Sequence, residues 1–184
     1  VASAAAAQRR SLTPLTRGRV PAVRSDDVVF VDGLDATAFG DAGLRTTESL
    51  ADATVAVVRV SAPFELLHPG HFFGSRQHEG ALDYPDDHPD LVRVRAAADA
   101  VPTVVIAHLD RPAVLGPIVE RADTVIAEFG ASPAAIVDIL TGAANAEGRM
   151  PFRLPVDMDQ VLAQPCDRPD DSLVPLFPVG HRAD

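Results

Sequence analysis

The stretch VPTVVIAHLDRPAVLGPIVERADTVIAEFGASPAAIVDILTG, residues 101–142, leaves this chain few ways to fold. Within it, residues 103–107 (TVVIA) are apolar and mostly β-branched, bounded by a proline and a polar turn. A strand buried on both faces reads this way. Asp110 precedes Arg111-Pro112, an N-cap followed by a proline in the first helical turn. Val114, Leu115, Ile118 and Val119 then share one face at helical spacing. Residues 124–129 (TVIAEF) read as a second strand. Gly130 turns the chain, Ser132 caps, and Pro133 opens a further helix. Ile136, Val137, Ile139 and Leu140 form its core side, and Gly142 stands where a left-handed residue ends a helix. Two strands with a helix between them make a βαβ unit. Its crossover is right-handed and its strands are parallel in one sheet.

The remaining segments complete that sheet. Residues 28–31 (VVFV) and 54–60 (TVAVVRV) are two more strands, with a short helix expected at 36–39. A helix at 4–12 stops before Pro14, and 13–27 reads as an irregular connection. Asp90 caps a helix at 91–100. Residues 150–154 are expected as a short edge strand, where Pro151 is tolerated. Residues 156–164 read as a helical turn, and the Pro-rich tail from 165 as extended over the surface. The fold class is therefore α/β: a three-layer sandwich with a mostly parallel sheet of five to six strands flanked by helices. Val57, Val105, Ile106, Ile126 and Ile136 are its expected core. The expected organisation is 1–27 as N-terminal helix and linker and 28–184 as the sandwich domain.

Composition excludes several functions. A formal net charge of −10 argues against nucleic acid as a partner, because phosphate binding needs a basic surface. Every basic residue is Arg, so a Walker A lysine, a Schiff-base lysine and a catalytic ammonium are all ruled out. Cys166 is the single cysteine, which excludes an internal disulfide and a Cys-based zinc cluster; it reads as an inert thiol. No apolar run approaches membrane-spanning length. The first residues, VASAAAAQRRSL, lack a sustained apolar core of the signal-peptide kind, so a cytoplasmic location without membrane contact is expected.

Residues 61–89 are the one long segment without periodicity, and they carry Phe64, Phe72, Phe73, Tyr84 and four of the six histidines. A loop this long in a compact domain is usually functional or disordered, and its aromatic content argues against disorder. His68-Pro69-Gly70-His71 bends at Pro-Gly and lacks the fixed geometry of two histidines on one helical turn, so no metal is expected. Ser75 and Ser132 are not in a Gly-x-Ser-x-Gly elbow, and Gly33 and Gly40 have the wrong spacing for a dinucleotide loop, so no cofactor is expected either. Ligand-binding residues in an open parallel sheet gather beyond the carboxyl ends of the strands. That rule brings Glu65, Glu79, Asp83, His108, Asp110, Arg111 and Gly130 to one rim. Asp110 reads there as a helix cap and Arg111 as its ion partner. Glu65 and Glu79 have no such duty and are candidates for acid catalysis.

The order of segments resembles the C-terminal α/β sandwich domain of family 3 glycoside hydrolases, the β-glucosidase and β-xylosidase family. The stretch Ala7-Gln8-Arg9-Arg10-Ser11-Leu12 is similar to the family's helix before the domain linker. Pro102-Thr103-Val104-Val105 with Arg111-Pro112 resembles its strand and Gly-Arg-Pro turn. Residues 136–142 (IVDILTG), then Asn145, Gly148-Arg149-Met150-Pro151-Phe152 and Pro155, resemble its "Ala-Asp-Val-Leu-Phe-Gly … Asn-Pro-x-Gly-Arg-Leu-Pro" signature. Residues 175–181 (PLFPVGH) resemble its closing "Pro-Leu-Phe-x-Phe-Gly". The resemblance implies a domain packed beside a catalytic (β/α)8 barrel, its long loop reaching the sugar pocket with the general acid/base glutamate. Pro63-Phe64-Glu65 resembles the start of that loop and Glu79-Gly80-Ala81-Leu82 its end, so either glutamate is the candidate. Phe64, His78 and Asp83 are the substrate-binding candidates beside them.

The nucleophile implied by the family is an Asp in the barrel. A barrel needs about 250 residues, and this chain of 184 does not contain one. A retaining enzyme needs two carboxyl groups about 5 Å apart, of which this chain contributes one. The leading expectation is thus the C-terminal domain of a β-glycosidase, inactive by itself. Its partners are a β-glycoside or oligosaccharide substrate, a barrel in cis or trans, and a second copy in a homodimer. A non-catalytic sugar-binding or barrel-covering module is the alternative. A flavodoxin-like regulatory domain is a third reading, supported only by Asp32 at the end of the first strand.

Overall fold

The computed structural model describes residues 2–18, 22–165, 167–168 and 174–183. Six strands form one sheet: β1 (Thr13–Pro14), β2 (Val28–Asp32), β3 (Arg45–Thr47), β4 (Val55–Ser61), β5 (Thr103–His108) and β6 (Thr124–Glu128). Their spatial order is β1-β6-β5-β4-β2-β3, and every pair is parallel except β1 with β6. The helices are α1 (Ala2–Ser11), α2 (Thr37–Asp41), α3 (Pro89–Ala100), α4 (Gly116–Val119), α5 (Pro133–Leu140) and α6 (Met158–Ala163).

Alternation along the central strands builds two cores. Side chains point to opposite faces in turn. Ala56, Val58 and Val60 of β4, Val105 and Ala107 of β5, and Val125 and Ala127 of β6 meet Leu91, Val94 and Ala97 of α3 and Ile118 of α4. Val55 and Val57, Val104 and Ile106, and Ile126 meet Phe39 of α2 and Ile136, Val137 and Leu140 of α5. Both faces are covered, as a parallel sheet requires. The five core residues expected from the sequence are all buried.

The ends of α5 follow their sequence signals. Ser132 Oγ accepts from the Ala135 N–H, Pro133 opens the helix, and Gly142 takes φ 76°. Elsewhere the structure departs from the sequence reading. The cap of α3 is His88, whose Nδ1 accepts from the Asp90 N–H, because Asp90 is occupied by the sheet rim. Between β5 and β6 only Gly116–Val119 is helical, since Asp110 and Arg111 are drawn to the long loop instead of starting a helix. Residues 150–154 are not in the sheet. Leu154 bridges Phe177 instead, and Met150 exchanges backbone bonds with Gly180 and His181. The edge beside β6 is already taken by β1, from the segment expected to be irregular. There Pro14 costs no ladder bond because it lies at the edge, and its carbonyl accepts from the Ala183 N–H. Leu12 and Leu15 on either side are buried. Cys166 lies outside the described residues.

The parallel strands run β3-β2-β4-β5-β6, so the winding reverses between β2 and β4. Ligand sites of such sheets lie beyond the carboxyl ends near that reversal. Ile106 sits mid-sheet with no exposed surface. Ile106→Ala should lower the unfolding free energy by about 2–5 kcal/mol, read from the urea midpoint, because a central site cannot collapse around the void.

Candidate active site

Four strand ends define the rim. Asp32 ends β2, Ser61 ends β4, His108 ends β5 and Glu128 ends β6. Arg93 of α3 reaches Asp32 (2.6 Å) and Asp90 (2.7 Å), and it donates to the Arg59 carbonyl (3.1 Å). Asp32 is therefore engaged by an internal arginine, which removes the one support for a flavodoxin-like reading. Ser61 is held twice: its N–H donates to Asp90 (3.0 Å) and its carbonyl accepts from the Tyr84 hydroxyl (2.8 Å). Burial pushes the Tyr84 phenol far above its ordinary value, with the Asp90 charge adding to it, so it remains a donor.

Glu128 was read only as part of an apolar strand, yet it has no exposed surface. Its Oε1 accepts from Arg59 Nε (3.1 Å) and from the terminal Nη2 of the same guanidinium (2.7 Å). Its Oε2 accepts from the N–H groups of Gly130 (2.6 Å) and Ala131 (2.8 Å). His108 Nδ1 lies 2.8 Å from Oε1 but makes no hydrogen bond to it. Burial alone would raise this carboxyl, but the Arg59 bonds and the two N–H groups outweigh it and hold it below its ordinary 4.5. The available signal was a lone charge near the end of each of two apolar strands, Arg59 in TVAVVRV and Glu128 in TVIAEF.

The loop of residues 62–88 leaves this rim and returns to it. Its two candidate glutamates face each other: the Glu65 N–H donates to the Glu79 carbonyl (2.9 Å) and the Glu79 N–H to the Glu65 carbonyl (3.2 Å). Residues opposed in this way project their side chains to one face, where two carboxylates repel. Each is answered locally. Both Glu79 oxygens lie at 2.9–3.0 Å from His68 Nδ1. Glu65 Oε1 accepts from the Ala81 N–H (3.2 Å) and packs on Gly80. Gly80 has φ 73°, and a Cβ there would lie 2.5 Å from that same oxygen, so only glycine fits.

Phe64 and His78, expected on sugar, stack on each other at 3.8 Å and 10°, and His78 Nδ1 meets Asp110 Oδ2. Asp83 is half-buried and takes no part in this cluster. Arg111 does not pair with Asp110. It donates to the carbonyls of Pro63 (3.4 Å), Glu79 and Gly80 (3.0 Å). The loop tip is apolar and open: Phe72 is 92% and Phe73 60% exposed, beside exposed Leu66 and Leu67. Among the described residues no group of three or more metal-ligating side chains gathers, and no helix is long and apolar enough to cross a membrane.

The profile of the glycosyl hydrolase family 3 C-terminal domain matches residues 16–184, and the chain belongs to that family. A periplasmic β-glucosidase/β-xylosidase of Dickeya chrysanthemi is 36% identical over 174 residues, 95% of this chain and 27% of that protein. A probable β-glucosidase C of Aspergillus oryzae is 35% identical over 179 residues, again 95% of this chain and 27% of that protein. The chain thus spans about a quarter of the length of these relatives. Among solved structures, a β-D-glucoside glucohydrolase of Trichoderma reesei superposes with a TM-score of 0.76 at 14% identity, over 99% of this chain and 36% of that one. A β-glucosidase of Listeria innocua in complex with isofagomine gives 0.73 at 14% identity, over 99% of this chain and 33% of that one. These likenesses establish the fold as that of the corresponding part of β-glucosidases.

The Glu128 network has a pH signature. A carboxyl whose folded pKa lies below its unfolded one adds stability that is complete above the unfolded value. That contribution is lost as pH falls through the folded value. Urea midpoints of the wild-type chain should therefore drop below about pH 4.5. Glu128→Gln should flatten that acid limb. At neutral pH it should cost roughly 3 kcal/mol, the lower end for a broken buried pair because Arg59 keeps partial access to water.

Proposed function

We propose that this chain is the C-terminal domain of a retaining β-glycosidase acting on β-glucosides or β-xylosides. It supplies the proton-transfer carboxyl from the 62–88 loop, and a (β/α)8 barrel supplies the nucleophile. The observation that carries the reading is the glutamate bridge at the carboxyl rim, on a loop with an apolar tip. The β-glucosidase names of relatives in which this domain is about a quarter of the length support it.

Retaining chemistry needs a carboxyl to protonate the leaving oxygen and a second one to attack the anomeric carbon from the opposite face. Glu65 and Glu79 are the two candidates for the first task. Glu65 suits it better. Glu79 has both oxygens on the His68 imidazole, whereas Glu65 has a single 3.2 Å bond from Ala81 and is exposed. The Phe64–His78 stack borders the pair and offers a flat apolar edge to a sugar, with Asp83 further along as a hydroxyl acceptor. The tip carrying Phe72 and Phe73 is the surface for the barrel.

The domain boundaries at 1–27 and 28–184 belong to this proposal. Limited proteolysis of the parent protein tests them: a cut near residue 27 supports them, and protection there, with β1 held in the sheet, joins residues 1–27 to the sandwich. Compartment belongs to it too: the name of the Dickeya relative supports the periplasm, against the cytoplasm expected above. Fractionation of cells making the full-length parent decides between them, and sedimentation of the parent reads out the homodimer.

The isolated chain should not hydrolyse aryl β-glucosides or β-xylosides. One positioned acid contributes about 10²–10⁴-fold, far short of a glycosidase's acceleration. Adding the matching barrel in trans should restore turnover. In that complex Glu65→Gln should slow substrates with poor leaving groups most, and azide should rescue it by replacing the water the base activates. A sugar found attached to one of this chain's own carboxylates, with turnover by the chain alone, would sink the divided-site reading. If neither Glu65→Gln nor Glu79→Gln changes turnover in the complex, the domain is a non-catalytic barrel-covering module.

A further inference from the structure

We propose that Arg111 is a positioning residue for acid catalysis, aligning the Glu65 carboxyl through a single peptide unit. This rests on the glycosidase reading above. The peptide joining Gly80 to Ala81 is bonded on both sides. Its carbonyl oxygen accepts from the Arg111 guanidinium at 3.0 Å, and its N–H donates to Glu65 Oε1 at 3.2 Å. A cation on the carbonyl side polarises the unit and strengthens the N–H as a donor. The same guanidinium reaches the carbonyls of Pro63 and Glu79, so it grips both legs of the loop beside the bridge.

Local structure alone does not hold this stem. One antiparallel bridge in water is marginal. Among the described residues the guanidinium pairs with no carboxylate, so its donors go to the three carbonyls. The base of the grip is rigid: Leu109 is buried, and its N–H donates to the Glu128 carbonyl at 2.9 Å. The neighbouring Asp110 meets His78, which stacks on Phe64 next to Glu65. Two consecutive residues after the central strand thereby fix both flanks of the proton donor. A lysine carries the charge but not the planar fork that spans two legs.

The test uses the full-length parent enzyme and a series of aryl and alkyl β-glucosides graded by leaving-group pKa. Arg111→Met should lower kcat by about 10²-fold on poor leaving groups, the scale of an ångström's misplacement, and leave dinitrophenyl glucoside within about threefold. Arg111→Lys should fall between Met and wild type. Azide should rescue Glu65→Gln but not Arg111→Met, because the carboxylate still occupies its place. Equal loss on every substrate, or no loss, overturns the proposal and leaves the glycosidase reading intact, provided a glutamate variant shows the leaving-group dependence. If neither glutamate variant shows it, the glycosidase reading fails and this proposal with it. Hydrogen exchange on the unmodified chain needs no variant to fold. The Glu79 and Ala81 amides should exchange more slowly than those of residues 70–73, and equal rates overturn the proposal.

Discussion

A carboxylate without solvent stands where the parallel strands end. Glu128 can remain ionised there only because donors surround it: Arg59 from β4, and the N–H groups of Gly130 and Ala131. Those donors come from β4 and from the turn into α5. Strand register, the entry of α5 and the geometry of the rim are consequently fixed by one group. Its backbone carbonyl also receives Leu109, which extends the fixed region into the segment that carries Asp110 and Arg111.

From that anchored rim, order passes outward in steps. Asp90 and Tyr84 hold Ser61, where the long loop departs. Arg111 and Asp110 hold the stem, where Glu65 and Glu79 face each other. Beyond the stem the side chains turn to solvent, and Phe72 and Phe73 touch chiefly each other. The sheet is rigid, the stem is clamped and the apolar tip is exposed, so order falls off along the loop with distance from the rim.

Sequence reading succeeded where the signal was local or periodic. The β-branched runs at 103–107 and 124–128 are strands because alternation on a sheet buried on both faces leaves only apolar side chains there. Ser132, Pro133 and Gly142 bound α5 because capping is settled within a few residues. The two loop glutamates read as carboxyls without a structural task, but the structure gives each one: they bridge each other, with Glu79 on His68 and Glu65 on the Ala81 N–H. The reading failed where a residue had a local role and a distant partner at once. Asp110 looked like a helix cap and went to His78; Asp90 looked like a cap and went to Ser61. In each case the stronger demand came from a residue far along the chain, which no window of sequence displays.

What the sequence by itself determined is the α/β class, the parallel core strands, the family's ordered motifs and the position of the long aperiodic loop. All of these follow from periodicity, caps and turn residues, which act over short separations. Only the tertiary structure decided that Glu128 is an internal ion, that residues 13–14 close the sheet edge while 150–154 leave it, and that Arg111 binds three loop carbonyls. These depend on which strand neighbours which. A buried charge or an orphaned carbonyl selects its partner by position in space, after the sheet has brought distant residues within bonding distance.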